Sequence, residues 1–150
     1  MFYKTQIIGL LFFCLVGCQA VNAVVEPYTY LNFHVADDSN PDAKGRPSPV
    51  VVKVYELSSR TVFDSQDFFT LYDEPESVLG PDLLVKDEFE FEPGAVSEFK
   101  MKINPNVRYA GVLVAYRDIE NAKWREVIEI DTTAYDDLDV YIEELAVYQR

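Results

Sequence analysis

Few residues in this chain have both the type and the setting for chemistry: one thiol, one imidazole and several carboxylates. Cys18 closes the run Leu15-Val16-Gly17-Cys18. A thiol there is a nucleophile that can accept a transferred group. The small residue before it leaves the preceding peptide bond open to a peptidase. His34 is the one histidine, so a Ser-His or Cys-His system would have to use it. It falls on the polar phase of an alternating segment, beside Asn32, and reads as an ordinary strand histidine. Asp38, Asn40 and Asp42 occupy the first, third and fifth places of a possible calcium loop. Ala43 then stands where the turn requires Gly, and Pro49 where a bidentate Glu is required, so the match fails. Asp136, Asp137 and Asp139 read as a solvated acidic loop. Glu143 and Glu144 are adjacent, and on a strand adjacent side chains point to opposite faces. There is no phosphate loop, no dinucleotide fingerprint and no His/Cys set for a metal. Nothing here makes a catalytic, cofactor or metal site.

Around Cys18 the sequence is more specific. Lys4 precedes an apolar run, Ile7 to Val16, interrupted only by Gly9. Spanning a bilayer takes about 20 apolar residues, so the run has the length of a signal-peptide core instead. Leu15 to Cys18 resembles the lipobox of bacterial lipoproteins. Residues 1–17 are therefore expected to be a removable signal peptide. Cys18 is expected to carry diacylglyceryl and N-acyl groups, and residues 18–27 to be a lipidated tether. Cys14 would leave with the signal peptide, so no thiol would remain for a disulfide. From Cys18 to Pro27 the tether reaches roughly 30 Å when extended, which keeps the domain close to a membrane.

The formal net charge is −13, and loss of Lys4 makes the mature chain more acidic still. Such a surface repels nucleic acid and anionic headgroups. The lipid, and not a basic patch, must hold the protein to a membrane. Acyl chains contribute about 0.8 kcal/mol per buried methylene, and two or more chains anchor stably.

Residues 28–150 make one domain of ordinary size. Leu31, Phe33 and Val35 alternate with Tyr30, Asn32 and His34, as on a half-buried strand. Asp37 to Pro49 is a long loop rich in Pro, Gly, Asn and Asp. Val50 to Leu57 is the next strand. Between Thr61 and Leu79 the pattern turns helical: Asp64 or Ser65 can cap a helix through Tyr72, Pro75 can open a second, and Gly80-Pro81 can stop it. The insert is a candidate cover for a sheet edge. Glu88 to Glu92 and Phe99 to Ile103 alternate on either side of Pro93-Gly94. A hairpin would pair Phe91 with Phe99 and Phe89 with Met101, and set Glu90 against Lys100 and Glu88 against Lys102. Tyr109 to Tyr116 is apolar on both faces, as in a central strand. Trp124 to Ile130 is another strand, Asp131 to Asp139 a loop, and Val140 to Tyr148 the last strand, with a bulge near Glu143-Glu144. The sum is a mainly β, two-sheet sandwich of seven or eight strands with a short helical insertion.

The loop from Asp37 to Pro49 exceeds the usual hairpin length of about 2–5 residues, and long loops on rigid scaffolds often bind. On the residues alone three functions stay open: an assembly protein, a lipid-anchored periplasmic small-molecule carrier or binding module, and a hydrolase. A carrier needs an apolar pocket with convergent polar groups. A hydrolase needs several polar groups in one cleft, which a single histidine argues against.

Asn40-Pro-Asp-Ala-Lys-Gly-Arg-Pro-Ser-Pro-Val-Val-Val-Lys-Val-Tyr-Glu-Leu57 resembles the signature of the type VI secretion system outer-membrane lipoproteins, the TssJ family. Asp67-Phe-Phe-Thr-Leu-Tyr72 through Leu79, Tyr109 to Ile119, and Trp124-Arg125 are similar to its later segments. The resemblance implies a transthyretin-like sandwich with added helices and no enzymatic activity. It implies acylation at Cys18 and sorting to the periplasmic face of the outer membrane, with which Gln19 agrees. It implies docking of the periplasmic domain of TssM, an inner-membrane protein, to build a trans-envelope complex. The loop after the first strand takes part in that docking in the family, which here designates Asn40, Pro41, Asp42, Lys44, Gly45 and Arg46. Lys44 and Arg46 are chosen among these on charge. Tyr116, Arg117, Trp124 and Arg125 are expected to be scaffold. No nucleic acid, small-molecule substrate or cofactor is expected.

Overall fold

The computed structural model describes residues 27–102 and 104–150. Residues 1–17, Cys18, most of the tether and Ile103 lie outside that range. Eight strands form two four-stranded sheets, ordered β4-β1-β7-β8 and β3-β2-β5-β6. β1 is Tyr28–Val35, β2 Val50–Leu57, β3 Leu83–Phe91 and β4 Val96–Lys102. β5 is Tyr109–Ala115, β6 Arg125–Glu129, β7 Tyr135–Ile142 and β8 Val147–Gln149. Leu31 and Phe33 on β1, with Val140 beside them on β7, share one core cluster with Val52 and Val54 on β2 and Val112 and Val114 on β5, all fully buried. The interior is thus built from side chains of both sheets.

β2 and β5 are central strands, as their two-sided apolar runs require. Their second face packs against three short helices: α1 Thr61–Ser65, α2 Phe68–Asp73 and α3 Pro75–Leu79. Tyr55, Leu57 and Leu113 from the sheet meet Phe63, Leu71 and Leu79 from the helices. The insert covers a sheet face and not an edge, because its apolar side chains match the outward residues of β2 and β5. The capping residue is Asp67, not Asp64 or Ser65. Its carboxylate accepts from Thr70 N at 3.0 Å and from Thr70 Oγ1 at 2.6 Å. These bonds hold its pKa below the usual value. Pro75 opens α3 as expected, and Gly80 adopts φ +52° just after it.

Three expectations are corrected. β3 and β4 do not pair: β3 lies beside β2 and β4 beside β1, in different sheets. Gly94, at φ +79°, makes an inter-sheet corner tied to β1, with Gly94 N donating to Ala36 O and Val35 N to Ala95 O. Phe89 and Phe99 still face each other, but across the sandwich, with ring centroids 4.9 Å apart. Glu88 consequently meets Lys53 at 3.3 Å, and neither expected Glu–Lys cross-strand pair forms. Tyr135 to Asp139 is strand, not loop, since β7 runs parallel to β1 with Asp136 opposite Thr29 and Asp139 opposite Asn32. The phase shift after Ile142 is a tight turn, closed by Glu143 N to Ala146 O at 2.8 Å, between β7 and the separate strand β8.

Candidate functional site: the loop between the two sheets

β1 and β2 belong to different sheets, so residues 36–49 form a crossover at one end of the sandwich and not a long hairpin loop. Its inner residues are locked. Asn40 is 2% exposed and sits at φ +50°, a left-handed conformation that Asn tolerates better than most residues. Its side chain donates to Pro49 O at 2.6 Å and accepts from Arg117 N at 2.8 Å. Its backbone N–H donates to Glu144 O at 3.0 Å. Ser48 Oγ donates to Asn40 O and accepts from Arg117 Nε at 2.9 Å. The loop is therefore stitched to the β5–β6 turn and to the β7–β8 turn.

The outer rim is a smaller turn built on Asp42. Its carboxylate accepts from Lys44 N at 2.8 Å and Arg46 N at 3.0 Å. It also pairs with the Arg46 guanidinium at 2.7 Å. The Arg46 side chain, followed by the two backbone N–H groups, holds the Asp42 carboxyl below its usual range. The Arg46 side chain remains 72% exposed, and Ala43, Lys44, Gly45 and Pro47 are exposed beside it. Gly45, at φ +75°, makes the turn. Of the six designated residues, Asn40 is an internal clamp, Asp42 a rim brace, and Lys44, Gly45 and Arg46 the presented surface. Pro41 joins Ala43, Arg117, Glu144 and Leu145 in lining an open cleft of about 590 Å³ beneath the rim.

The four expected scaffold residues are accounted for by contacts. Tyr116 is buried, and its hydroxyl donates to Glu143 O at 3.3 Å. Burial pushes its pKa up. Trp124 meets Phe68 edge to face at 5.4 Å. Arg125 Nη1 donates to Phe63 O at 2.9 Å and Gln66 O at 2.8 Å, holding the end of α1. Arg117 clamps the loop, a role that sequence spacing cannot show because its partners lie in distant segments. His34 Nε2 donates to the Asp139 carboxylate at 2.8 Å, and the ring stacks on Tyr141 at 4.9 Å, part-exposed on a sheet face. Among the described residues no three His, Cys, Asp or Glu side chains are placed to hold a metal ion.

Residues 27–145 match the family model described as "Type VI secretion lipoprotein, VasD, EvfM, TssJ". The crystal structure of the T6SS lipoprotein TssJ1 from Pseudomonas aeruginosa is 31% identical, with TM-score 0.81 over 84% of this chain and 96% of that one. Serratia marcescens Lip, "a membrane bound component of the Type VI Secretion System", is 24% identical, with TM-score 0.77 over 84% of this chain and 97% of that one. A chain in the structure "T6SS protein TssM C-terminal domain (869-1107) from EAEC" is 20% identical, with TM-score 0.67 over 81% of this chain and 99% of that one. The last two likenesses speak to the fold. No curated protein matches significantly.

Proposed function

The chain belongs to the type VI secretion lipoprotein family, and on that premise we propose that it is an outer-membrane assembly protein that docks a TssM-type partner. Residues 1–17 are removed, Cys18 receives diacylglyceryl and N-acyl groups, and residues 18–27 tether the domain, residues 28–150, to the periplasmic face. The loop rim then engages the periplasmic domain of TssM, tying the outer membrane to an inner-membrane protein. The protein catalyses nothing in this role.

One observation carries the docking reading: a rim bearing Lys44 and Arg46 is held rigid by bonds from Asn40, Ser48 and Asp42 on a chain of net charge −13. Preorganisation lowers the ordering cost of binding, and Arg is enriched in protein interfaces. The position also fits. β1 carries the chain from the tether at Tyr28 to the loop after Val35, about 24 Å away at the usual rise of a strand. The start of the domain and the rim thus lie at opposite ends of β1.

The test is co-purification of the full chain with the same organism's TssM periplasmic domain, beside acyl labelling of Cys18. Cys18→Ser should abolish acyl labelling and membrane fractionation while leaving co-purification in solution. Persistence of acylation would defeat the anchoring, and a folded protein that captures no partner would defeat the docking.

A further inference from the structure

Among the described residues, no helix covers the outer face of β4-β1-β7-β8. At the end where the chain leaves toward Cys18 it gathers three tyrosines. Tyr28 meets Tyr30 at 5.0 Å and Tyr135 at 5.2 Å, both edge to face. Tyr135 comes from the far end of the sequence and is 54% exposed. Lys100 Nζ lies 4.0 Å from the centre of the Tyr28 ring and 5.3 Å from that of Tyr30. Lys102 is opposite Tyr28 in the strand register. Three other lysines meet carboxylates, Lys53 with Glu88, Lys86 with Glu76 and Lys123 with Glu126, while Lys44 on the rim, like the corner lysines, has no ion pair among the described residues. Among the described residues, Lys100 and Lys102 form no ion pair. On the same face Glu98 stands two residues from Lys100 on β4, and Asp137 lies opposite Tyr30 on β7.

We propose that this tyrosine–lysine corner is a membrane-contact surface that rests on the phospholipid headgroups of the leaflet holding the Cys18 lipid. The proposal depends on the anchoring reading above. Tyrosine suits a boundary where one side is apolar and the other wet, and two lysines without carboxylate partners can meet lipid phosphates. The tether begins at this corner, and its extended reach of roughly 30 Å keeps the corner near the membrane. The net charge of −13 makes the surface as a whole repel anionic headgroups. The corner therefore orients the domain and the lipid holds it. Seated this way, β1 stands up from the bilayer and the Lys44–Arg46 rim faces the periplasm.

The experiment uses the full, lipidated chain in vesicles of phosphatidylethanolamine and phosphatidylglycerol, its acylation confirmed by mass spectrometry. A nitroxide is placed through Asp137→Cys on the corner or Lys44→Cys on the rim. The expected result is an oxygen-to-nickel collision ratio severalfold higher at 137 than at 44. Tyr28→Ser/Tyr30→Ser/Tyr135→Ser should bring the ratio at 137 down to that at 44, with the protein still in the membrane fraction. Equal, water-like ratios on acylated protein overturn the proposal alone. Spin–spin broadening at 137 that grows with the protein-to-lipid ratio also overturns it, since a second copy would then cover the face. Absence of acyl chains overturns the anchoring reading, and this proposal with it.

Discussion

The outer faces of the two sheets meet different surroundings. On β3-β2-β5-β6 the helical insert buries Tyr55, Leu57 and Leu113 under Phe63, Leu71 and Leu79, each at most 2% exposed. Even the polar members of that face are engaged: Lys53 donates to Tyr72 O at 2.9 Å and lies over its ring, and Tyr55 OH donates to Leu71 O at 2.9 Å. On β4-β1-β7-β8 the outward residues are Tyr28, Tyr30, Asn32 and His34 from β1, beside Tyr135, Asp137, Asp139 and Tyr141 from β7. None of the β1 residues is fully buried. One face is part of the core and, among the described residues, the other carries no helix. The difference teaches that stability and contact are assigned to separate sides of one small domain.

The largest expected effect breaks the covered side. Phe63→Ala should lose about 3–5 kcal/mol, the range for deleting a buried ring, in urea unfolding. Phe63 is fully buried, and a Cβ on Gly111 would come within 2.8 Å of it. Tyr30→Ala on the open side should cost less than about 1 kcal/mol. Similar losses at both positions would erase the distinction.

Next is Glu56, on the core side of β2 and 3% exposed. Among the described residues, its Oε2 has no hydrogen-bond partner. Burial first, and the Asp87 charge second, push its pKa from 4.5 to about 7. The folded protein keeps this proton to higher pH than the unfolded chain does. The domain is therefore fully stable with respect to this group below about pH 4.5 and loses stability as pH rises toward 7. Each pKa unit corresponds to about 1.4 kcal/mol, so the loss approaches roughly 3 kcal/mol. Glu56→Gln should flatten melting temperature against pH over that window; an unchanged slope would remove Glu56 as its cause.

Arg125→Ala removes both bonds to the α1 carbonyls. It should cost about 1–3 kcal/mol and speed hydrogen exchange in residues 61–66 specifically. Uniform exchange would mean that the insert is not a separable cover. The smallest effect belongs to His34→Ala. Its contact with Asp139 is part-exposed, at 35% and 46% for the two side chains, and such surface pairs contribute about 0–1 kcal/mol.

Much of this contrast was legible beforehand. Tyr109 to Tyr116, apolar on both faces, announced a central strand, while the alternation of Leu31, Phe33 and Val35 announced a half-buried one; the double cover of Val50 to Leu57 was not announced. Pairing was not legible. Glu88–Phe91 and Phe99–Lys102 have the pattern of a hairpin, yet the corner at Gly94 sends them to different sheets, and alternation alone cannot tell the two apart. β7 was hidden because Asp136, Asp137 and Asp139 suppress the apolar signal, and its parallel partner β1 is remote in sequence. The loop was legible as a loop, and its clamps at Asn40, Ser48 and Arg117 were not, since they act through contacts between distant segments.

The docking of TssM by the loop rim is tested most directly by one affinity ratio. Isothermal titration of the TssM periplasmic domain should show Lys44→Glu/Arg46→Glu binding at least tenfold more weakly than the parent, about 1.4 kcal/mol, with the melting temperature unchanged. Equal affinity for the two proteins would contradict the account and move the interface away from the rim.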